Sequence, residues 1–208
     1  MDVRPGQRTV SLRGVGHMTA EGRTPKRVIR AFNWGLLIIG DPQAPDMPDL
    51  SADGGINQSS SLIVVPVRHA QDVELEAGPF EVEVRYGKRT SGFKYAAHHA
   101  LVRLPTGDMG IGDADEEVLV SLDPGWWWIS TSLSPADHAE VVEIQLSRAA
   151  QCPVCTWPGL MEEGWKDGNP SYEICPSCGT EFGYDDAAGF TSPTAHSHRL
   201  DELRRTWL

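Results

Sequence analysis

Between residues 31 and 149 the apolar positions recur with a period of two. The clearest run is Phe80-Glu81-Val82-Glu83-Val84-Arg85-Tyr86, where apolar and charged side chains alternate without a break, the pattern of a half-buried antiparallel strand. Val142, Ile144 and Leu146 alternate in the same way with Glu143 and Gln145. Comparable stretches at 32–39, 62–67, 95–104, 118–122 and 126–133 predict further strands. Turn residues separate them at Asp53-Gly54-Gly55, Ala77-Gly78-Pro79, Pro105-Thr106-Gly107-Asp108 and Asp123-Pro124-Gly125. Short strands at this spacing, with no amphipathic helix among them, predict a mainly β chain built on an antiparallel β-sandwich-like domain or open barrel over residues 31–149.

The pattern changes after residue 150. Residues 158–170 are rich in Gly, Asp, Glu and Asn and read as a loop, and residues 172–174 as a short strand. Ser192-Pro193 has the form of an N-cap followed by Pro at the first helical position, opening a helix that runs to Trp207. Its stripe is His196, Leu200, Leu203 and Trp207, a face expected to pack on the preceding unit, with His196 as a packed or capping residue.

The first thirty residues fit neither pattern. They are rich in Arg, Gly and Thr, lack periodicity, and read as a disordered basic arm; Met18 within them is an alternative start to Met1. Seven Lys/Arg face two acids there, a balance of +5, whereas residues 31–208 hold 11 basic and 27 acidic residues, a balance of −16. The 208-residue chain carries −11 overall. Such a body repels phosphate backbones and lipid headgroups and attracts basic proteins. No apolar run reaches the ~20 residues of a membrane helix and no signal-peptide pattern opens the chain, so a cytoplasmic protein without membrane contact is expected.

The four cysteines form two matched pairs, Cys152-Pro153-Val154-Cys155 and Cys175-Pro176-Ser177-Cys178, with 19 residues between them. Two Cys-x-x-Cys knuckles at that separation supply four thiolates to one tetrahedral metal, and four sulfurs fit a structural Zn2+. Paired disulfides are disfavoured in a reducing compartment, and an iron–sulfur or redox site by the two matched pairs and the lack of a βαβ context. Four cysteines fill the coordination sphere, so the site offers no position to a substrate and the chain is not expected to be an enzyme. A zinc ribbon plus C-terminal helix is therefore expected over residues 150–208.

The segment from Cys152 through Pro170-Ser171-Tyr172-Glu173-Ile174-Cys175-Pro176-Ser177-Cys178-Gly179 and Glu181-Phe182-Gly183-Tyr184-Asp185-Asp186, with Leu203 and Trp207, resembles small bacterial cysteine-rich zinc-ribbon proteins. The resemblance implies metal and fold but no activity. Thr156 departs from the Gly usual after a first knuckle. Residues 31–149 resemble the competence protein J family, bacterial β-rich inhibitors of a DNA-entry nuclease. The features that carry this are the order of Phe32-Asn33-Trp34 and Asp41, Asp53-Gly54-Gly55-Ile56, strand 62–67, Pro79-Phe80-Glu81-Val82 and Leu122-Asp123-Pro124-Gly125-Trp126-Trp127. That resemblance implies a protein that binds and silences a nuclease, in agreement with the charge.

Other constellations are weaker. His98 and His99 are neighbours on an expected strand, so their rings point to opposite faces and cannot share a metal. Asp108, Asp113, Asp115, Glu116 and Glu117 crowd a Gly-rich loop that reads either as a solvated hairpin tip or as a calcium site, though not with EF-hand spacing. In Trp126-Trp127-Trp128 alternation sends Trp127 one way and its neighbours the other. Trp127 is the candidate aromatic anchor for a partner, with the five acids as its electrostatic rim. Two function classes follow. The first is an acidic inhibitor or immunity-type module directed at a basic protein such as a nuclease. The alternative is a nucleic-acid-associated zinc-ribbon accessory protein, which the four basic against nine acidic residues of 150–208 argue against.

Overall fold

The computed structural model describes residues 26–45, 47–50, 55–69, 81–88, 98–135, 139–187 and 192–207. Met18 and most of the expected arm, Asp53-Gly54, Ala77-Gly78-Pro79-Phe80 and residues 95–97 lie outside them. In chain order the elements are β1 (Lys26–Arg30), β2 (Leu36–Gly40), β3 (Asn57–Gln58), β4 (Leu62–Pro66), β5 (Val82–Lys88), β6 (His98–Leu104), β7 (Asp108–Gly112), β8 (Glu117–Ser121), β9 (Gly125–Ser134), β10 (Val141–Arg148), β11 (Trp165–Lys166), β12 (Asn169–Pro170) and α1 (Pro193–Trp207). The chain is mainly β with a C-terminal helix, as its patterning predicts, and it forms no closed barrel.

One five-stranded sheet has the order β1-β5-β10-β9-β6 and the other β3-β4-β2-β7-β8. Period-two alternation gives each sheet an apolar face, and both faces feed one core. Val82, Val84, Tyr86, Val102, Leu104, Ile129, Val142, Ile144 and Leu146 enter it from the first sheet, and Leu37, Ile39, Ile63, Val65, Met109, Ile111 and Val120 from the second. Each fully buried aliphatic side chain contributes roughly 1.5–3 kcal/mol, so this cluster supplies the main stability of the unit. Among the described residues the pairing departs from an antiparallel scheme in β10, which runs parallel to β5 with Glu143 opposite Arg85 and Ile144 opposite Tyr86, and at the isolated parallel bridge between Val67 and Ala139.

Two strands correct the sequence reading. Lys26–Arg30, assigned to the basic arm, pairs antiparallel with β5 from Lys26 opposite Tyr86 to Arg30 opposite Val82. Asp108–Gly112, read as part of an acidic Gly-rich loop, pairs with both β2 and β8. Its glycines obscure the alternation of Met109 and Ile111, which are buried in the core.

A second, smaller cluster holds the C-terminal unit. Cys152, Val154, Leu160, Cys175 and Phe182 are buried in it, with Trp157, Trp165, Leu200 and Leu203 packed around them. The α1 helix starts where expected: Ser192 Oγ accepts a hydrogen bond from Ala195 N at 3.2 Å, the N-cap geometry. Leu200 and Leu203 carry its packing, whereas Trp207 is 48% exposed. No described helix is long and apolar enough to cross a membrane.

Candidate metal centre and acidic hairpin

Each cysteine pair sits on a tight turn of the same geometry. Thr156 N donates to Cys152 O at 3.0 Å, and Gly179 N donates to Cys175 O at 2.8 Å. The residue after each second cysteine is left-handed, with φ 64° at Thr156 and 74° at Gly179. The departure from Gly at position 156 therefore leaves the turn intact and places a β-branched residue in a conformation that costs ~1–2 kcal/mol relative to glycine.

These turns bring the four thiols together. Cys152 Sγ lies 3.7 Å from Cys178 Sγ, Cys155 Sγ lies 3.6 Å from Cys175 Sγ, and all four sulfurs lie within 4.8 Å of one another. A tetrahedral ion with metal–sulfur bonds of ~2.3 Å has sulfur–sulfur edges of ~3.8 Å, so the donor set fits a metal ion in size as well as in type. Val154 N donates to Cys152 Sγ at 3.4 Å, and Cys178 Sγ lies 3.2 Å from Thr180 Oγ1, contacts that orient the sulfurs. Burial pushes the Cys152 and Cys175 thiols up. At Cys155 burial acts in the same direction, but hydrogen bonds from Trp157 N–H, Ser177 and the neighbouring thiols prevail and draw it down to about 7. Metal binding has to displace the protons that burial favours, so occupancy falls as pH falls.

A polar brace fixes the helix beside this centre. The Asp186 carboxylate is fully buried; Oδ1 accepts from Gly183 N at 2.6 Å and Oδ2 from Trp165 Nε1 at 2.6 Å, with His196 Nε2 at 3.0 Å. His196 is thus a packed residue, and its ring meets Trp165 edge-on at 4.9 Å. Near the other end of the helix, Arg204 Nε donates to Pro153 O at 2.7 Å, tying α1 to the first knuckle. Asp186 and Trp165 carry no local sequence signal for this arrangement.

The five acidic residues do not share one environment. Glu117, the first residue of β8, is exposed and stands opposite Gly112. Asp108, at the opposite end of the β7–β8 hairpin from the tip, lies 3.3 Å from Ser121 Oγ. At the tip, Asp113 is ion-paired with Arg30, its side chain only 2% exposed, and its Oδ1 accepts from Asp115 N and Glu116 N at 3.1 and 3.0 Å. Asp115 accepts from Asn33 Nδ2 and Trp34 Nε1, both at 3.3 Å. Arg30 also donates to Glu116 O at 2.7 Å and lies 4.6 Å from the Phe32 ring centroid. Asp113 is therefore an internal ion-pair partner, and the expected continuous rim is broken. The arginine responsible lies in the stretch set aside as an arm, where Lys26-Arg27-Val28-Ile29-Arg30 shows no alternation to mark a strand. Arg30→Met leaves Asp113 buried without its cation and is expected to lower stability by about 2 kcal/mol, read as a shifted urea midpoint with unchanged slope.

The tryptophans are also placed differently. Trp127 is 4% exposed, lies in the sandwich core, and donates Nε1–H to Asp123 O at 2.9 Å. It cannot serve as an exposed anchor, because alternation turns it into the larger of the two apolar faces. Trp128 points the other way and donates to Gly159 O and Leu160 O at 3.1 and 3.3 Å. A Cβ at Gly159 would stand 2.5 Å from Leu101 Cδ2, so glycine there permits the loop of the metal unit to lie against the sheet. His98 and His99 behave as alternation requires, with Gln58 Oε1 2.9 Å from His98 Nε2 and Ser130 Oγ 2.8 Å from His99 Nδ1.

No protein-family model matches the chain, and no curated protein matches its sequence. Among solved structures it is similar to ComJ, inhibitor of the DNA degrading activity of NucA, from Bacillus subtilis. That likeness has 10% identity and a TM-score of 0.43 over 58% of this chain and 93% of ComJ. It is also similar to the protein described as crocagin biosynthetic gene J, at 13% identity and a TM-score of 0.34 over 59% and 94% of the two chains. Likeness at this level assigns no activity, and the functional reading rests on the site and the charge.

Proposed function

We propose that the chain is an acidic cytoplasmic protein-binding module, of the inhibitor or immunity type, directed at a basic protein such as a nuclease. In this reading residues 26–149 form the β-sandwich-like unit, and residues 150–208 a ribbon closed by a structural Zn2+ on Cys152, Cys155, Cys175 and Cys178. Four thiols at tetrahedral spacing support the metal assignment, and they leave no open coordination position. The ion supplies cross-linking of the two knuckles; the chain's own residues orient the sulfurs and dock the helix.

The observation that carries the binding half is the acidic balance of the body, −13 over residues 26–208 once Lys26, Arg27 and Arg30 are counted with it. A protein that handles nucleic acid carries a basic cleft to neutralise phosphates, and an acidic surface complements that cleft and speeds encounter. Association with the partner captured from the source cell is therefore expected to slow as salt rises, measured by surface plasmon resonance, and the partner is expected to be basic. An acidic partner, or a salt-independent association rate, contradicts the proposal. Duplex DNA provides the complementary check. At physiological salt the full chain is expected to bind it no more tightly than ~10⁻⁴ M. Sub-micromolar, salt-dependent DNA affinity would favour the nucleic-acid accessory class instead.

A further inference from the structure

The second knuckle is flanked by a short antiparallel ladder with two unlike faces. Phe182 N donates to Glu173 O at 3.1 Å, Cys175 N donates to Thr180 O at 2.9 Å, and Ile174 pairs with Glu181. Phe182, Thr180 and Cys175 turn inward and are buried. On the outer side Ile174 is 58% exposed and Tyr172 67% exposed. The Tyr172 ring lies over Gly183, where a Cβ would stand 3.2 Å from Tyr172 Cε1, and Tyr184, next in the chain, is 74% exposed. Three large side chains of one small ribbon are thus left to solvent, although its buried cluster contains few residues. Tyr172 also has a φ of 58°, a conformation that an aromatic residue rarely adopts. The fold presents this ring outward with little burial in return.

The ribbon carries nine acidic residues against four basic ones over 150–208. Of the ribbon's basic residues, Arg199 pairs with Glu202 and Arg204 with Asp201, whereas Lys166 and Arg205 have no ion-pair partner among the described residues. Glu181 stands directly across the ladder from Ile174 and has no cation partner among the described residues. Contiguous exposed apolar side chains mark interaction surfaces, tyrosine is enriched at their energetic centres, and an unneutralised acidic border selects cations.

We infer that the exposed side of this ladder, bearing Tyr172 and Ile174 beside the Gly183-Tyr184 turn, docks a basic segment of the partner in which apolar and cationic side chains alternate. The apolar side chains cover Tyr172 and Ile174, and the cations meet Glu181. The inference rests on the basic-partner reading above and places the contact on the ribbon, away from the hairpin and Trp127.

The test uses the full zinc-loaded chain, isotopically labelled, titrated with a short peptide of alternating lysine and leucine, with lysine–serine and glutamate–leucine peptides as controls. The lysine–leucine peptide is expected to shift the resonances of Tyr172, Ile174 and Tyr184, and to bind about tenfold more tightly than either control. Tyr172→Gly suits the positive φ, so it is expected to keep or raise thermal stability while weakening binding about tenfold. Ile174→Ser is expected to weaken binding similarly with the fold retained, and Glu181→Gln to reduce its salt dependence. Loss of stability in Tyr172→Gly with binding per folded molecule unchanged would overturn the inference, as would shifts confined to the β7–β8 hairpin. In the second case the basic-partner reading survives. Failure of both lysine peptides to bind anywhere would instead remove that reading, and this inference with it.

Discussion

Cys175→Ser, or removal of the ion by a chelator, is expected to unfold residues 150–208 while the two-sheet unit keeps its structure. The two buried clusters have different sources of stability. The larger draws buried apolar side chains from eight strands of the two sheets, whereas two of the five buried residues of the smaller are cysteines. Without the ion, Val154, Leu160 and Phe182 remain as the buried apolar centre of a segment that includes the whole helix. Structural zinc contributes on the order of 10 kcal/mol to such units, more than this remnant can replace. Elemental analysis of the native protein is expected to give one zinc per chain. In the variant, proteolysis is expected to trim the C-terminal segment, and Trp128, released from the Gly159 and Leu160 carbonyls, to shift its fluorescence to the red. A folded protein with four titratable thiols and no metal would remove the zinc assignment; joint loss of both units would reveal a shared core.

Trp127→Ala is expected to cost about 3–5 kcal/mol, the range for deleting a buried aromatic side chain and leaving a cavity. The indole is 4% exposed among residues of both sheets, so neighbours can relax into the space only by moving strands that already pair on both sides. Trp127→Phe separates packing from hydrogen bonding. It retains much of the volume and loses the bond to Asp123 O, for about 1 kcal/mol. Urea unfolding followed by far-UV circular dichroism measures both. Because the ring is internal, partner dissociation from the folded fraction of Trp127→Ala is expected to match that of the parent chain. Faster dissociation from folded protein would return Trp127 to the interface.

Legibility in the sequence followed the range of the interactions involved. The cysteine pairs are local, and their turns are set by backbone bonds spanning four residues, so spacing sufficed to group all four sulfurs. Alternation likewise identified the inward sets of β5 and β10. At Trp126-Trp127-Trp128 it separated the side chains correctly, but which face became the core depended on the opposite sheet. Asp113 read as a surface acid because its cation lies more than eighty residues away in β1. Glycine concealed β7, since Gly110 and Gly112 contribute no side chains to the outward face. The Tyr172 patch was hidden for a different reason: a Tyr-Glu-Ile run reads as a strand, and strand residues are expected to find cover. Alternation places Tyr172 and Ile174 on one side of that strand, but whether another element covers that side is decided by the tertiary fold, which leaves both exposed.

The parallel pairing of β5 with β10 bears on the order in which the sandwich assembles. Strands β6, β9 and β10 are joined to their partners by nearer segments, whereas Arg85 and Glu143, hydrogen-bonded across β5 and β10 at 3.3 Å, are separated by 58 positions in the chain. Closing a longer segment costs more chain entropy, and contacts at long range form late. The β9–β10 hairpin, with β6 beside it, therefore provides the template, and β5 joins it across the long connection. The strand Lys26–Arg30 has no partner in the first sheet until β5 is in place, although it is the first of these strands to be synthesised. Its clamp on the hairpin tip closes the assembly, so a kinetic experiment should find Arg30 substitutions accelerating unfolding while leaving the folding rate nearly unchanged.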